Sequence, residues 1–161
     1  MQRAIIYCDG ACLKNPGPGG WGAIIFTHTH VQEIGGHVAH TTNNQMEMRA
    51  ALEALKICSL QSALILTDSR YLIDGISQWI HGWKKRGWTT AAGTPVANRE
   101  LWLALDSITL HTEYRHIKGH AGNPGNERAD TIASAYAAKK HISLFHNNAD
   151  AYPHFNPQGL A

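Results

Sequence analysis

Two short apolar runs in the chain are typical of buried strands. Residues 5–8 and 63–67 are each too short for a helix, and each is followed directly by an aspartate, Asp9 or Asp68. After Asp9 comes a Gly- and Pro-rich segment, residues 10–22, in which the chain must turn sharply because glycine permits backbone angles that other residues avoid. The pattern therefore predicts two buried strands, each ending at an acidic side chain.

The residues after the glycine turn predict an antiparallel meander. Residues 21–26 and 31–40 have strand patterns, and the polar residues 27–30 form the turn between them. A last strand is predicted at residues 112–117.

Helical patterns separate the later strands. The Thr-Thr-Asn-Asn sequence at 41–44 favours a helix start, and residues 45–60 are rich in Ala, Leu, Met and Glu. Further helical segments are predicted at 71–78, from Asn98 (a candidate cap) to Ser107, and at 127–140. The strands at 5–8 and 63–67 should be parallel because a helix connects them. The apolar face of that helix should pack on the sheet: Ala50, Ala51, Ala54, Leu55 and Cys58.

Carboxylates stand where this arrangement would bring them together. Asp9 and Asp68 would lie at the same edge of two adjacent parallel strands, where they would repel each other and need a cation, and where such sheets bind ligands. Glu47 lies in the first turn of the first predicted helix, and Asp130 in the first turns of the last. The alternatives are a solvated aspartate at a strand exit and a glutamate that complements the helix dipole.

Composition narrows the class of protein. The chain has 161 residues, 43% hydrophobic and 16% charged, which predicts one globular domain with a proper core. No apolar run approaches the roughly 20 residues of a membrane span, and the N-terminus lacks a signal-peptide pattern. Three cysteines without paired zinc spacing favour a reducing compartment, so we expect a cytoplasmic protein without membrane contact.

The net charge of +2 is unevenly distributed. Residues 79–99 contain four basic residues and no acidic one. Within 79–88, three consecutive cations lie among three tryptophans. This pattern suits contact with sugar and phosphate. The alternatives are tryptophans that anchor one helix to another and cations on a solvated face. A glycine-flanked histidine, His120, lies in a polar loop at 118–126, where a mobile proton carrier could act.

These motifs together resemble ribonuclease H of the bacterial type 1 class, in order from about residue 3 to residue 140. They comprise Asp9-Gly10 with the glycine turn, Glu47, Thr67-Asp68-Ser69, the basic stretch Trp83-Lys84-Lys85-Arg86-Gly87-Trp88, Lys118-Gly119-His120 and Asp130. The resemblance implies an α+β ribonuclease H-like fold, with a five-stranded mixed sheet of three antiparallel and two parallel strands flanked by helices. It also implies a catalytic domain at 1–142, followed by a tail at 143–161 about which it says nothing.

The activity that the resemblance implies is endonucleolytic cleavage of the RNA strand of an RNA/DNA hybrid, leaving 3′-hydroxyl and 5′-phosphate ends. Asp9, Glu47, Asp68 and Asp130 would hold two Mg²⁺ ions, with Mn²⁺ as a substitute, and His120 would assist proton transfer or product release. Oxygen ligands favour these hard cations. Contacts to the two backbones would come from Cys12, Asn15, Thr42, Asn43, Asn44, Trp79, Trp83, Lys84, Lys85, Arg86 and Asn98. Arg70 departs from the glutamine of many relatives, and its contact with the RNA strand would differ.

Three other classes of protein remain open at this point. Another nuclease of the same fold, such as a junction resolvase or a transposase core, would lack the basic stretch and the Lys-Gly-His loop. A catalytically inactive hybrid-binding module would be expected to lose at least one of the four acids. A purely structural domain would be destabilised by carboxylates gathered at one sheet edge. We therefore expect a monomeric nuclease with an RNA/DNA hybrid as substrate and no obligate protein partner.

Overall fold

A computed structural model describes residues 3–58, 62–109 and 111–155, and shows one mixed sheet. Its strands are β1 Ala4–Cys12, β2 Gly17–Phe26, β3 His30–Thr41, β4 Ala63–Thr67, β5 Thr112–His116 and β6 His146–Asn148. They lie in the order β5-β4-β1-β2-β3-β6. Strands β1, β2 and β3 form the antiparallel meander, β4 pairs parallel with β1, and β5 pairs parallel with β4.

The expectation of five strands is corrected by β6, which pairs antiparallel with the free edge of β3. This strand comes from the tail. No alternating apolar pattern marks it, because its three residues, His146 to Asn148, are all polar and exposed.

Five α-helices connect and flank the strands in the described residues. They are α1 Asn43–Cys58, α2 Arg70–Asp74, α3 Ile80–Lys85, α4 Arg99–Ile108 and α5 Pro124–Ala137, with a π-helical turn at Gly75–Trp79 between α2 and α3. The predicted end of α1 at Leu60 lies outside the described residues. None of the helices in the described part of the chain is long and apolar enough to cross a bilayer.

Each face of the sheet carries its own hydrophobic core. On one face Ile6, Cys8 and Ile65 pack against α1 and α4, where Trp102 is fully buried. On the other face Tyr7 and Leu66 pack with α5 and with aromatic residues of the tail. This alternation along β1 and β4 is the period-2 pattern of strands covered on both faces.

Two elements near the acidic residues differ from the expectation. Strand β1 does not end at Asp9 but continues to Cys12, so that Asp9 lies opposite Gly22 of β2. Glu47 is not in the first turn of α1, because the helix begins at Asn43. Glu47 therefore lies one turn inside the helix, where it faces the sheet and is buried.

Candidate active site

Three carboxylates from three different elements meet at one edge of the sheet. Asp9 comes from β1, Glu47 from α1, and Asp68 directly follows β4. Each offers an oxygen atom, and these three atoms lie within 4.8 Å of one another. The parallel register of β1 and β4, in which Tyr7 pairs with Leu66, brings the two aspartates together as the sequence predicted.

A glycine allows α1 to approach β1 closely enough for Glu47 to join the group. A Cβ atom at Gly10 would lie 2.5 Å from the backbone nitrogen of Glu47 and 2.6 Å from the carbonyl carbon of Met46. Side chains in real proteins essentially never make such contacts, so this position requires glycine. The Gly10 N–H also donates a hydrogen bond of 2.9 Å to Oδ1 of Asp9, which orients that carboxylate.

Burial makes the metal-free cluster electrostatically costly. Asp9 is 5% exposed and Glu47 is 8% exposed. The pKa of Asp9 is raised to about 7, chiefly by burial and also by the charges of Asp68 and Asp130, against the opposing effect of its hydrogen bonds. Burial, followed by the charge of Asp9, raises the pKa of Glu47 well above its usual range.

The donor set fits a hard divalent cation. Oε2 of Glu47 is buried and has no hydrogen-bond partner among the described residues. The two aspartates each offer an oxygen within 4.8 Å of a Glu47 carboxylate oxygen. Clustered oxygen ligands of this kind suit Mg²⁺ or Mn²⁺, and a cation between them would remove the cost of their burial.

The fourth predicted acid, Asp130 on α5, lies beside this group rather than within it. It does not belong to the set within 4.8 Å, yet its charge acts on the pKa of Asp9. Its Oδ1 accepts a hydrogen bond of 3.4 Å from Oγ of Ser134. The structure thus brings oxygen atoms of three acids within 4.8 Å of one another and leaves the fourth acid within electrostatic range.

The histidine loop reaches the same edge through Gly119. A Cβ atom at Gly119 would lie 2.5 Å from Oδ2 of Asp68, so the backbone of the loop rests against this carboxylate. The next residue, His120, has a positive φ of 52°, which is uncommon for a residue with a side chain. Upstream, the Ile117 N–H donates to the carbonyl of Thr67, which fixes the start of the loop beside β4.

Polar residues predicted to contact the substrate lie around the start of α1. The Thr42 hydroxyl accepts from the Gln45 N–H at 3.2 Å and so caps the helix. Oδ1 of Asn15, in the glycine turn, accepts from the Asn43 N–H at 3.3 Å. Cys12 is half-buried at the end of β1, and Asn44 follows Asn43 in α1.

Asn98 occupies the cap position of α4, as the sequence predicts, but its side chain makes no capping hydrogen bond. It adopts a left-handed backbone conformation, and its amide hydrogen-bonds elsewhere. Nδ2 of Asn98 donates to the Tyr71 hydroxyl at 3.0 Å, and Oδ1 accepts from Nε2 of Gln45 at 3.0 Å. No pattern in the sequence indicates either partner, because both lie far from Asn98 along the chain.

The aromatic and basic stretch is divided between packing and exposure. Trp83 lies at the centre of an aromatic cluster, with ring centroids 6.0 Å from Trp79 and 5.5 Å from Trp102. Trp79 remains 39% exposed. The cations at 84–86 are all exposed, although Lys84 forms a 2.7 Å ion pair with Asp106. The tryptophans therefore anchor the segment and the cations face outward, while contact of this stretch with sugar and phosphate stays a prediction.

Arg70 is exposed at the first residue of α2, two positions after Asp68. Its place is compatible with substrate contact, which stays a prediction.

Sequence comparison decides the family. The model of the family described as RNase H matches residues 1–138. This chain belongs to the ribonuclease H family. It is 56% identical over 137 residues to the ribonuclease H of Maricaulis maris, covering 83% of this chain and 92% of that protein. It is 49% identical over 144 residues to the ribonuclease H of a Cyanothece strain, covering 86% of this chain and 92% of that protein.

Solved structures of ribonucleases H have the same fold. LC9-RNase H1, described as a type 1 RNase H with the type 2 active-site motif, superposes with a TM-score of 0.77 at 31% identity. The match covers 90% of this chain and 77% of that one. LC11-RNase H1, solved in complex with an RNA/DNA hybrid, has a TM-score of 0.61 at 21% identity, over 85% of this chain and 98% of that one, which supports the fold alone. The ribonuclease H family model ends at residue 138, so the tail lies beyond the shared region.

Proposed function

We propose that this ribonuclease H cuts the RNA strand of RNA/DNA hybrids by hydrolysis with two Mg²⁺ ions, leaving 3′-hydroxyl and 5′-phosphate ends. The observation that carries the proposal is the group of three carboxylate residues, with an unpartnered buried oxygen on Glu47. We further propose that the enzyme acts as a cytoplasmic monomer without an obligate protein partner.

The four acids divide the metal-binding role. Asp9 interacts electrostatically with the other three, and we propose that it would bind both ions, while Glu47 and Asp68 would bind one of them and Asp130 the other. The position of Asp130 outside the 4.8 Å group is compatible with a separate role on the second ion. Two divalent ions held by these acids would supply an activated water and would neutralise charge on the phosphoryl oxygens.

The protein's own residues orient the reacting phosphate and carry protons. Gly10 fixes the Asp9 carboxylate through its N–H, and Gly119 holds the loop against Asp68. His120 follows directly in this loop, where its imidazole can accept a proton or release one near the leaving oxygen. Because the loop is exposed at His120, product can also leave on this side.

Two groups of residues flank the carboxylates and are suited to the two strands of a hybrid. Polar groups near Asn15, Asn43 and Asn98 border the start of α1, and the cations at 84–86 lie on the protrusion formed by α3. Contacts of this kind read the sugar-phosphate backbone without regard to sequence. Discrimination of RNA requires contact with 2′-hydroxyl groups on one strand.

The test compares matched RNA/DNA, RNA/RNA and DNA/DNA duplexes, each labelled on either strand, with and without Mg²⁺. We expect cleavage of the RNA strand of the hybrid alone, only when Mg²⁺ is present, with 5′-phosphate on the downstream product. The matched control is Asp9→Asn purified in the same way, which excludes a contaminating nuclease. Comparable cleavage of double-stranded DNA would instead indicate a resolvase-like enzyme.

A further inference from the structure

A buried carboxylate outside the active site ties the tail to the body of the protein. The side chain of Glu33, on β3, is 0% exposed. It forms a bidentate ion pair with Arg128 of α5, with Nε to Oε1 at 2.7 Å and Nη2 to Oε2 at 2.8 Å. The flanking Arg128 side chain is only 12% exposed. Such a buried pair requires that every remaining lone pair be satisfied.

The tail supplies these remaining partners. The Tyr152 hydroxyl donates to Oε1 of Glu33 at 2.7 Å, and the Phe145 N–H donates to Oε2 at 3.0 Å. Nη2 of Arg128 in turn donates to the carbonyl of Ser143 at 3.0 Å. We call Glu33, Arg128 and these three tail residues the Glu33 clamp.

The tail also packs beneath the strand that carries Asp9. The ring of Phe155 lies 6.2 Å from that of Tyr7 and 5.3 Å from that of Phe26, centroid to centroid. The first turn of α5 also lies against Tyr7, since a Cβ atom at Gly125 would lie 2.5 Å from the tyrosine ring. Tyr7 therefore contacts both the tail and the start of α5.

Helix α5 connects the clamp to the active site. Arg128 and Asp130 are two residues apart, which places their side chains about 200° apart around the helix axis. The clamp therefore holds one side of α5 at β3, while Asp130 on the other side acts on Asp9 of β1. A change in the rotation of α5 about its axis would move Asp130 relative to Asp9.

We propose that the Glu33 clamp is a positioning device through which the tail sets the place of Asp130 in the active site. The inference rests on the proposed function, because it takes Asp130 as a ligand of the second ion. It assigns a role to residues 143–155 of the tail, which lie beyond the region that the ribonuclease H family model matches.

The test uses Glu33→Gln and Tyr152→Phe in the full-length protein. Glu33→Gln removes the charge that Arg128 requires, and Tyr152→Phe removes only one hydroxyl, so that the second variant folds even if the first does not. The matched control is Leu105→Ala, since Leu105 is fully buried in the opposite core and its truncation lowers stability without touching α5 or the tail. All variants are measured at a temperature at which circular dichroism shows them folded.

The first readout is hydrogen exchange of the α5 amides in the metal-free protein, and the second is steady-state kinetics on the hybrid. We expect exchange at residues 126–131 to accelerate by about tenfold in the clamp variants but not in a control of equal stability. We expect kcat to fall by about tenfold in Glu33→Gln, within the roughly hundredfold that a misplacement of about 1 Å can cost. KM for the hybrid should stay unchanged, and the Mg²⁺ concentration for half-maximal rate should rise.

The outcomes separate the inference from the proposed function. Unchanged α5 exchange in both clamp variants, or a kcat loss no larger than that of Leu105→Ala at equal stability, overturns the positioning role. A wild-type protein that does not cut the hybrid refutes the proposed function, while the exchange measurement still tests whether the clamp fixes α5.

Discussion

Replacement of Asp9 by asparagine should stabilise the metal-free protein, and the gain should grow with pH. Burial raises the pKa of Asp9 from its ordinary value of 3.8 to about 7. The native state therefore binds a proton that the unfolded state releases between these two pH values. The wild type loses stability as the pH rises from about 4 through about 7. The reason is that the ionised carboxylate is hydrated in the unfolded state but buried in the native state. The variant carries no charge at this position, so it is spared that loss.

The magnitude follows from the rise in pKa. A rise of about 3 in the pKa of Asp9 lowers the stability of the native state by about 4 kcal/mol above pH 8. About 1.5 kcal/mol of this cost is already present near pH 5. Asparagine keeps the shape of aspartate, and its carbonyl oxygen can still accept from the Gly10 N–H. The advantage of Asp9→Asn in the free energy of unfolding should therefore grow by roughly 2 to 3 kcal/mol between about pH 5 and about pH 8.5.

The measurement is urea unfolding in the presence of EDTA at these two pH values. The control is Asp106→Asn, which removes the same charge from a surface ion pair with Lys84 and should change stability by about 1 kcal/mol or less at both. Addition of Mg²⁺ at high pH should stabilise the wild type more than Asp9→Asn, because the ion binds only the native carboxylates. An advantage of Asp9→Asn that is the same at both pH values would refute the assignment of a buried, uncompensated charge.

Three further variants test the surroundings of the carboxylates. His120→Ala should slow turnover by about 10²-fold or less, the low range of general acid–base contributions, and complete loss of activity would show a larger role. Replacing all three cations at 84–86 by alanine should raise KM and reduce the log–log slope of hybrid binding against salt by about two to three, with kcat nearly unchanged. An unchanged slope would show that these cations form only a solvated face. Gly119→Ala should lower kcat and raise the Mg²⁺ requirement, because the new Cβ would lie 2.5 Å from Oδ2 of Asp68 and would displace this carboxylate. Stability measured by thermal melting should change little. Wild-type kinetics in that variant would show that the loop moves aside freely.

The elements with strong local patterns were predictable from the sequence. Strand β4 has the predicted bounds, 63–67, because a short, mostly apolar run between polar residues favours a buried strand. A helix between β1 and β4 required a parallel pairing, and from this the meeting of Asp9 and Asp68 followed. The resemblance to ribonuclease H, carried by short motifs in order, indicated the family and the class of fold.

The features that depend on contacts distant in sequence were not predictable. Glu33 is an ordinary polar residue in a strand pattern, yet it is fully buried because Arg128 and the tail surround it. Strand β6 has no apolar alternation, and only the free edge of β3 makes it a strand. Asn98 takes the predicted cap position of α4, but its side-chain amide forms hydrogen bonds with Gln45 and Tyr71 instead of capping the helix.

The sequence thus determined which residue types are present and which local structures they favour. Tertiary structure alone decided how deeply each charge is buried and which partners it has, as Asp9 and Glu33 illustrate. Both are carboxylates in strands of the same sheet. Burial and the neighbouring acids raise the pKa of Asp9, whereas the hydrogen bonds of Arg128 and Tyr152 lower that of Glu33 despite its burial. The reason is physical, since desolvation and charge pairing depend on the distance between atoms in space and not on their separation along the chain.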